Sequence, residues 1–381
     1  MKHQRLRHAA KNQKIHPKKR RVAEKNPNTE RTLYLVNIIL LCIVTLGALG
    51  AGALFTWRYL TLSSRVAGLE ENVASLTKER DERYTKEQLD ADVARAQENA
   101  RVSERRAVMT QIQSSLESGN STASMLRNLF SDDIVVASGG KYYFYPVLDK
   151  VPVNPYTSTD FRLDDAGFLQ YQGADDTITV TNGIDVSASS GRIDWASVAD
   201  DGISYAIVAA GSRDEDGLIR NDADFVTNMD EALSHHIAVG AYWILSAKDE
   251  TEAQKEAEHF VSLLENYQDR IKMPVAVWLE TPEAGTRLES LTQNDWTENV
   301  KIFCSIIERA GYRSVIYGSL ASFVMQTDPG RLQNYDRWIA QNDSGLYFPY
   351  DFVMWQYSGS GTVKGIDSDV NFDALISRKA Q

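Results

Sequence analysis

The sequence predicts an α/β protein whose main domain, residues 181–381, is a TIM-like (β/α) barrel that is incomplete in helices at its C-terminal end. From residue 182 onward, short apolar runs typical of buried strands alternate with helical patterns. The strand candidates number about eight, the count at which an alternating parallel sheet closes into a barrel. The later connections are too short for crossover helices, so we expect few helices near the C-terminus.

The chain begins with a basic arm, residues 1–32. Up to residue 31 it has eleven Lys or Arg against two acidic residues, whereas the whole chain has a formal net charge of −11. The rest is therefore strongly acidic, which argues against nucleic-acid binding, because phosphate contacts need clustered Lys and Arg. The basic cluster at residues 18–21 directly precedes an apolar stretch, where it indicates a cytoplasmic end.

Residues 33–57 carry no charge and are long enough to cross a bilayer as a helix. Tyr34 and Trp57 lie near the ends, where aromatic belts occur. A cleaved signal peptide is the competing interpretation, since residues 51–53 resemble a cleavage site, but the basic region and the apolar core are both too long for it. The sequence therefore predicts a single-pass type II protein of the cell membrane with its C-terminal domain extracellular. Cys42 and Cys304 offer no internal disulfide, which favours a bacterial source.

Residues 58–118 are predicted to form a helical stalk. Its apolar positions alternate at spacings of four and three: Leu62, Val66, Leu69, Val73 and Leu76. This heptad pattern fits a coiled-coil homodimer, and a single amphipathic helix is the alternative. A helix over residues 58–117 is roughly 90 Å long, enough to place the barrel at the depth of a cell wall. Residues 119–180 are predicted to be a small β-rich adaptor that packs on the barrel, because so short a segment makes a thin core.

Two carboxylates are predicted at the ends of barrel strands. A buried strand over residues 274–280 ends in Glu280, and Trp278 points to the same side because side chains alternate along a strand. An indole beside a carboxyl disfavours ionisation, as a general acid needs; a strand-end Glu paired with an Arg is the alternative. Asp185 lies at the end of the first predicted strand. It is either a site residue or a residue that forms the turn after the strand.

The motifs Asn-Gly-Ile-Asp-Val-Ser, Pro-Val-x-x-x-x-Glu, Ala-Gly-Tyr, Ile-Tyr-Gly, Arg-Trp-Ile-Ala and Met-Trp-Gln-Tyr follow in this order over residues 182–376. In this order they resemble glycoside hydrolase family 25, the muramidase-type lysozymes. The resemblance implies a (β/α) barrel and cleavage of the β-1,4 bond between N-acetylmuramic acid and N-acetylglucosamine in peptidoglycan. It implies no metal or organic cofactor, Glu280 as the general acid, and Asp185 as the Asp of the first strand.

The sequence departs from the family pattern at several strand ends. The Asp of the family's Asp-x-Glu pair, which steadies the acetamido group of the substrate, is Trp278 here. The His/Lys-Trp/Tyr-Gln segment is replaced by residues 188–190, the Arg after the second strand is Ala209, and Val-Asp-Leu-Asn is Val-Asn-Phe-Asp at residues 370–373. Two interpretations follow: hydrolysis by Glu280 with Asp185 in an atypical site, or a catalytically inactive wall-glycan-binding or scaffold protein. The predicted substrate-binding residues are Trp278, Tyr242, Trp243, Trp355, Tyr357 and Asn371, although part of the Trp355–Tyr357 group fits a core role equally.

Other chemistries lack their parts. No His accompanies either carboxylate, which excludes a Ser-His-Asp triad and a His-ligated zinc site. No Gly-rich phosphate loop precedes a helix. Asp367, Asp369 and Asp373 have poor spacing for calcium, so a solvated acidic loop is the interpretation we favour and no metal is expected.

Overall fold

The computed structural model describes residues 27–83, 85–342 and 345–379. The prediction of a basic arm falls mainly on residues 1–26, which lie outside the described residues. The chain divides into two compact units, Met1–Arg105 and Arg106–Gln381. The second unit contains both the β-rich segment and the barrel.

The N-terminal region is helical, with α1 over Pro27–Arg83 and α2 over Lys86–Glu117. Within α1, Arg31–Arg80 forms a helix long and apolar enough to cross a membrane, and an 18-residue window of it has a mean hydropathy of 2.5. The five heptad side chains of the predicted stalk are all exposed on α1. At the start of α2, the N–H of Thr85 donates to Oε1 of Gln88 at 3.0 Å, and the N–H of Gln88 donates to Oγ1 of Thr85 at 3.2 Å. This capping box explains why a new helix starts here.

The small segment before the barrel contains one helix and two short antiparallel ribbons: α3 Thr122–Leu129, β1 Asp133–Ser138, β2 Lys141–Pro146, β3 Phe161–Leu163 and β4 Leu169–Tyr171. The β1–β2 turn uses Gly139 and Gly140, both at positive φ, as a two-residue hairpin turn requires. The segment packs on the barrel as predicted. The N–H of Val135 donates to the hydroxyl of Tyr347 at 2.9 Å, and Val153 forms a β-bridge with Tyr350.

Eight strands close into a barrel, which confirms the predicted fold. The strands are β5 Ile178–Val186, β6 Tyr205–Arg213, β8 Ala238–Ile244, β9 Ile271–Leu279, β10 Ser314–Ser319, β11 Asp336–Ala340, β12 Met354–Gly361 and β13 Val370–Arg378; β7 Ile219–Asn221 forms a hairpin with the end of β6. They follow one another around the barrel in chain order, and β13 pairs with β5 to close it.

The last strand differs from the prediction of an all-parallel sheet. Apart from the hairpin strand β7, the strands from β5 to β12 run parallel around the barrel, whereas β13 is antiparallel to both β12 and β5. The reason is the short connection between β12 and β13, which cannot carry the chain back across the sheet as a crossover helix does.

Helices cover only the first half of the barrel, as predicted. They are α4 Trp195–Asp200, α5 Phe225–Ser234, α6 Glu250–Leu264 and α7 Gln293–Arg309. Between β10 and β13, the described residues contain no α-helix, only a five-residue π-helix at Ser322–Gln326. Helix starts follow local sequence signals: Asp249 caps α6, and Thr292 forms a capping box with Asp295 at the start of α7.

Side chains alternate between two apolar layers. One layer lies inside the barrel and is rich in aromatic residues, with Tyr205, Tyr242, Tyr317 and Trp338. The other lies between the strands and the helices, where Phe260 and Phe303 are fully buried with ring centroids 6.0 Å apart. Burial of such a ring contributes about 1.5–3 kcal/mol, so this outer layer fixes the helices on the barrel.

Candidate active site

A cavity of about 650 Å³ lies at the carboxyl end of the parallel strands. Its wall includes Asp185 from β5, Tyr242 from β8, Trp278 from β9, Tyr317 from β10 and Asn371 from β13. Polar side chains of the strand-end loops complete the lining, among them Ser187, Ser189, Ser190, Ser212, Asn221 and Asp222. Active sites of (β/α) barrels occupy this end, because the loops after several strands meet there.

Asp185 lines this cavity, partly buried, and is held by side chains from β12 and β13. The Nε2 of Gln356 donates to its Oδ2 at 2.9 Å, and the Nδ2 of Asn371 donates to its Oδ1 at 3.1 Å. The β13–β5 register places Asn371 directly opposite Asp185. Two amide donors therefore fix both oxygens of this carboxylate.

Asp373 is the third contact of Asp185. Asp373 is fully buried, and its Oδ1 accepts a hydrogen bond from the Nε1 of Trp338 at 2.9 Å. Burial raises the pKa of both carboxyls, and hydrogen bonds from Asn371, Gln356 and Asp373 oppose that rise at Asp185. At Asp373, burial and then the charge of Asp185 raise the pKa well above its usual value. Burial therefore favours the neutral form of Asp373 more strongly than that of Asp185.

The opposite side of the barrel interior is aromatic. Tyr242, Trp278, Tyr317 and Trp338 lie on four successive strands, with ring centroids 5.7, 5.4 and 4.2 Å apart along the row. Trp278 occupies the position of the family's Asp and lines the cavity with its indole. This side presents an apolar ring surface, on which the face of a sugar ring can stack.

Glu280 directly follows β9 and is exposed. It lies at the same end of the barrel as Asp185, because β5 and β9 run in the same direction around the barrel. It is outside the residues that line the cavity. Partial burial, and then the charge of Glu283, raise the pKa of Glu280 above that of an ordinary Glu. A raised pKa suits a proton donor near neutral pH.

The loop after Glu280 is anchored by Arg287. Its Nη2 donates to both carboxylate oxygens of Glu252 at 2.8 and 2.9 Å, and its Nη1 donates to the carbonyl of Ser246 at 2.5 Å. Its backbone N–H donates to Oε2 of Glu215 at 3.0 Å. A bidentate, largely buried Arg–carboxylate pair is geometrically specific, so it fixes one end of the segment that carries Glu280.

Three predicted substrate-binding residues face away from the cavity, which corrects the sequence analysis. Trp243 is fully buried in the outer layer, where its Nε1 donates to Oε2 of Glu256 at 3.0 Å. The Nε1 of Trp355 donates to the carbonyl of Gln341, and the hydroxyl of Tyr357 donates to Oδ1 of Asn182. Strand alternation explains this placement: Tyr242 faces inward, so Trp243 faces outward, and Gln356 faces inward between two outward aromatic residues.

Sequence reasoning also missed inward-facing residues. Gln356 and Tyr317 were not predicted at the site, and Asp373 was assigned to a solvated acidic loop. That assignment is wrong for Asp373, which is buried on β13, whereas Asp367 and Asp369 are exposed. The available signal was the spacing of two between Asn371 and Asp373, which places both on one face of a strand. The described residues contain no group of three or more His, Cys, Asp or Glu that could hold a metal.

Comparison with known proteins agrees with this geometry. The family described as glycosyl hydrolases family 25 matches residues 184–366, from β5 to the loop before β13. This segment is a family 25 glycosyl hydrolase domain. Asp185, Trp278 and Glu280 lie inside the matched residues, whereas Asn371 and Asp373 lie just beyond them.

Similar proteins to this family 25 domain include two bacterial lysozymes. The autolytic lysozyme of Clostridium acetobutylicum is 24% identical over 192 residues, which are 50% of this chain and 54% of that protein. Lysozyme M1 of Streptomyces globisporus is 27% identical over 197 residues, 50% of this chain and 65% of that protein. The chain thus spans between half and two thirds of the length of these relatives.

Solved structures with the same domain are also similar. A bacterial lysozyme from Streptomyces coelicolor is 25% identical to this chain, with a TM-score of 0.44. The match covers 51% of this chain and 91% of that lysozyme. A modular autolysin from Streptococcus pneumoniae, solved with a synthetic peptidoglycan ligand, is 22% identical to this chain, with a TM-score of 0.46. The match covers 63% of this chain and 51% of the autolysin.

Proposed function

We propose that this protein is a peptidoglycan hydrolase of the muramidase type, which cleaves the β-1,4 bond between N-acetylmuramic acid and N-acetylglucosamine. The observation that carries the proposal is the carboxylate of Asp185, fixed by Gln356 and Asn371 in the wall of an open cavity at the catalytic end of the barrel. Serine and asparagine side chains around the cavity suit sugar hydroxyl and acetamido groups, and Trp278 offers a ring face for stacking.

In the proposed reaction, Glu280 protonates the glycosidic oxygen, and the bond from this oxygen to the anomeric carbon breaks, so that the N-acetylglucosamine side leaves with a free hydroxyl. The Asp185 carboxylate either bonds to the anomeric carbon and is later displaced by a water whose proton goes to Glu280, or it takes the proton of a water that attacks this carbon directly. Two carboxyl groups perform this chemistry at about 5–5.5 Å for retention or about 6.5–9.5 Å for inversion. Because Glu280 lies outside the cavity lining, its side chain has to turn inward when the glycan binds. The indole of Trp278 cannot replace a carboxylate that stabilises the transition state, so we expect slow turnover.

The test is dye release from purified, dye-labelled wall by the full chain in detergent. We expect Glu280→Gln to lower the rate by about 10²–10⁴-fold, the usual contribution of a general acid. Glu258→Gln, the same exchange at an exposed position of α6, is the matched control and keeps the rate. Equal rates for the unaltered protein and Glu280→Gln would overturn the proposal.

A second candidate function is glycan binding without hydrolysis. Trp278 in place of an Asp and the exposed position of Glu280 both favour it. In a pull-down on insoluble wall, this function predicts retention that Trp278→Ala weakens and Glu280→Gln leaves unchanged. Absence of retention would exclude it.

We also propose that the protein is a single-pass type II membrane protein with the barrel outside the cell, facing the wall, and that the stalk pairs two copies. The apolar helix Arg31–Arg80 and the basic residues before it support the anchor, and the exposed heptad positions support the pairing. Protease treatment of intact cells is expected to remove the barrel. A Leu69→Cys variant, with Cys42 replaced by Ser, is expected to form disulfide-linked dimers in membranes, whereas an exposed polar position such as Glu71→Cys is not.

A further inference from the structure

Three inward-facing positions meet around Asp185, and one of them is a second carboxyl. On β13, Asn371 and Asp373 are two residues apart and share the inner face. The pairing register places Asn371 opposite Asp185, and Asp373 opposite Gly183 on one side and Gln356 on the other. Gly183 has no side chain, so nothing from β5 lies between Asp373 and the carboxylate of Asp185. The two carboxyls are therefore neighbours on the inner face of the barrel, and each acts on the pKa of the other.

The two carboxyls have very different surroundings. Asp185 receives two amide N–H donors and lines the cavity, whereas Asp373 is sealed beneath it. Trp338 donates to Oδ1 of Asp373, and no described N–H or O–H group donates to its Oδ2. Two carboxylates in contact cannot both be ionised in a buried site, and the proton resides on the less solvated one.

The other titratable groups that act on this pair are phenols, which stay neutral near pH 7. They come from four further strands: Tyr205, Tyr242, Tyr317 and Tyr357. Arg220, Asp222 and Asp369 also line the cavity, where Arg220 is paired with Asp214 at 2.7 Å. No Lys, Arg or His of the described chain acts on either carboxyl. Without a cation to neutralise a second negative charge, the single proton is the means by which this pair carries one charge instead of two.

We propose that Asp373 is a positioning residue: it stays protonated near neutral pH and donates its hydrogen to Asp185, so that Asp185 is the ionised member of the pair and faces the cavity. This role rests on the proposed function of Asp185. Asp373 does not line the cavity and acts only through Asp185. In the family pattern, the acid and the amide occupy positions 371 and 373 in the opposite order, so this arrangement is a feature of the present chain.

The first test does not depend on hydrolysis. Infrared spectra of the full chain in detergent near neutral pH are expected to show the carbonyl stretch of a protonated carboxyl. The band should be lost in Asp373→Asn and retained in Asp185→Asn. A band that Asp373→Asn leaves unchanged, or its absence from the unaltered protein, would overturn the proposal. A failure of hydrolysis alone would instead count against the proposed function.

The second test is the pH dependence of unfolding. A group whose pKa is raised in the folded state contributes stability at low pH, which is lost as pH rises through the folded pKa. Asp373→Asn removes the titrating carboxyl, so this loss of stability with rising pH disappears. Between about pH 4 and neutrality, the slope of the unfolding free energy against pH should change by an amount that corresponds to at most one bound proton. If Asp373 were ionised in the folded protein, the variant would not change the slope in this direction.

The third test separates positioning from packing. Asp373→Asn keeps an N–H that can donate to Asp185 and should hold kcat within about threefold, whereas Asp373→Leu has a similar shape and no donor. A hydrogen bond to a charged group accounts for about tenfold or more in rate, so Asp373→Leu should lower kcat by that factor and leave KM unchanged. Equal kcat values for the two folded variants would contradict the proposal. If Asp373→Leu does not fold, the infrared and pH measurements on Asp373→Asn decide.

Discussion

The two sides of the barrel mouth are built differently. On the side of β5, β12 and β13, Asp185 is fixed by amide donors and a buried acid. On the side of β9, the inward position is an indole packed between Tyr242 and Tyr317, and Glu280 is exposed beyond the strand, close to the charge of Glu283. One half of the site has preorganised electrostatics, whereas the other has an aromatic surface and an exposed carboxyl.

This difference bears on rate and binding separately. Fixed dipoles and charges accelerate a reaction because they need no reorganisation when charge develops. The β5 side meets this requirement and the β9 side does not. We therefore expect substitutions on the β5 side to abolish an existing contribution to the reaction rate. A suitable substitution on the β9 side should add a contribution that is missing there.

The largest effect is expected on the β5 side. Asp185→Asn removes the fixed negative charge and should lower wall hydrolysis by about 10²–10³-fold, as for loss of other preorganised electrostatic groups. Asn371→Ala removes one donor and should cost only about tenfold. Initial rates of dye release measure both, with circular dichroism to verify folding. A fully active Asp185→Asn protein would mean that this side is structural.

A gain is expected on the β9 side. Trp278→Asp restores a carboxylate two residues before Glu280 and should raise kcat about tenfold or more, since even 1.4 kcal/mol of transition-state stabilisation gives that factor. Trp278→Ala opens the same space without the charge and serves as the control. If Trp278→Ala raised kcat as much as Trp278→Asp did, the gain would come from removal of the bulky indole and not from the added charge. The idea that the β9 side lacks a carboxylate would then be wrong.

A smaller effect is expected from the anchor of the Glu280 loop. Arg287→Met breaks the bidentate contact with Glu252 and should lower kcat about three- to tenfold, because small displacements of a reacting group are costly. Arg313→Met breaks the exposed pair with Asp336 and should leave hydrolysis unchanged. The measurement is kcat for wall hydrolysis by the two variants at the same pH.

The smallest effect concerns pH. The charge of Glu283 contributes to the raised pKa of Glu280, so Glu283→Gln should lower that pKa. A general acid acts in its protonated form, so the alkaline limb of the pH–rate profile should move to lower pH in this variant. A shift to higher pH, or no shift, would show that another group controls that limb.

Sequence reasoning located the barrel and the strand-end acids because both depend on local signals. Asp185 and Glu280 each interrupt an apolar run where a strand ends. It failed at Trp355 and Tyr357, because a barrel strand is buried on both faces, so hydrophobicity does not reveal which face is inside. Asp373 was missed for a related reason: its burial depends on β13 running antiparallel beside β5, a pairing between segments nearly two hundred residues apart.

That pairing has a consequence for biosynthesis. Asp185 is made 171 residues before Gln356 and 186 residues before Asn371. Until residues 370–378 dock against β5, the first strand has an open edge and its carboxylate has none of these partners. Pairing between such distant segments forms slowly, because the long loop between them must close first. The hydrogen-bond partners of Asp185 therefore assemble only after this long-range pairing has formed.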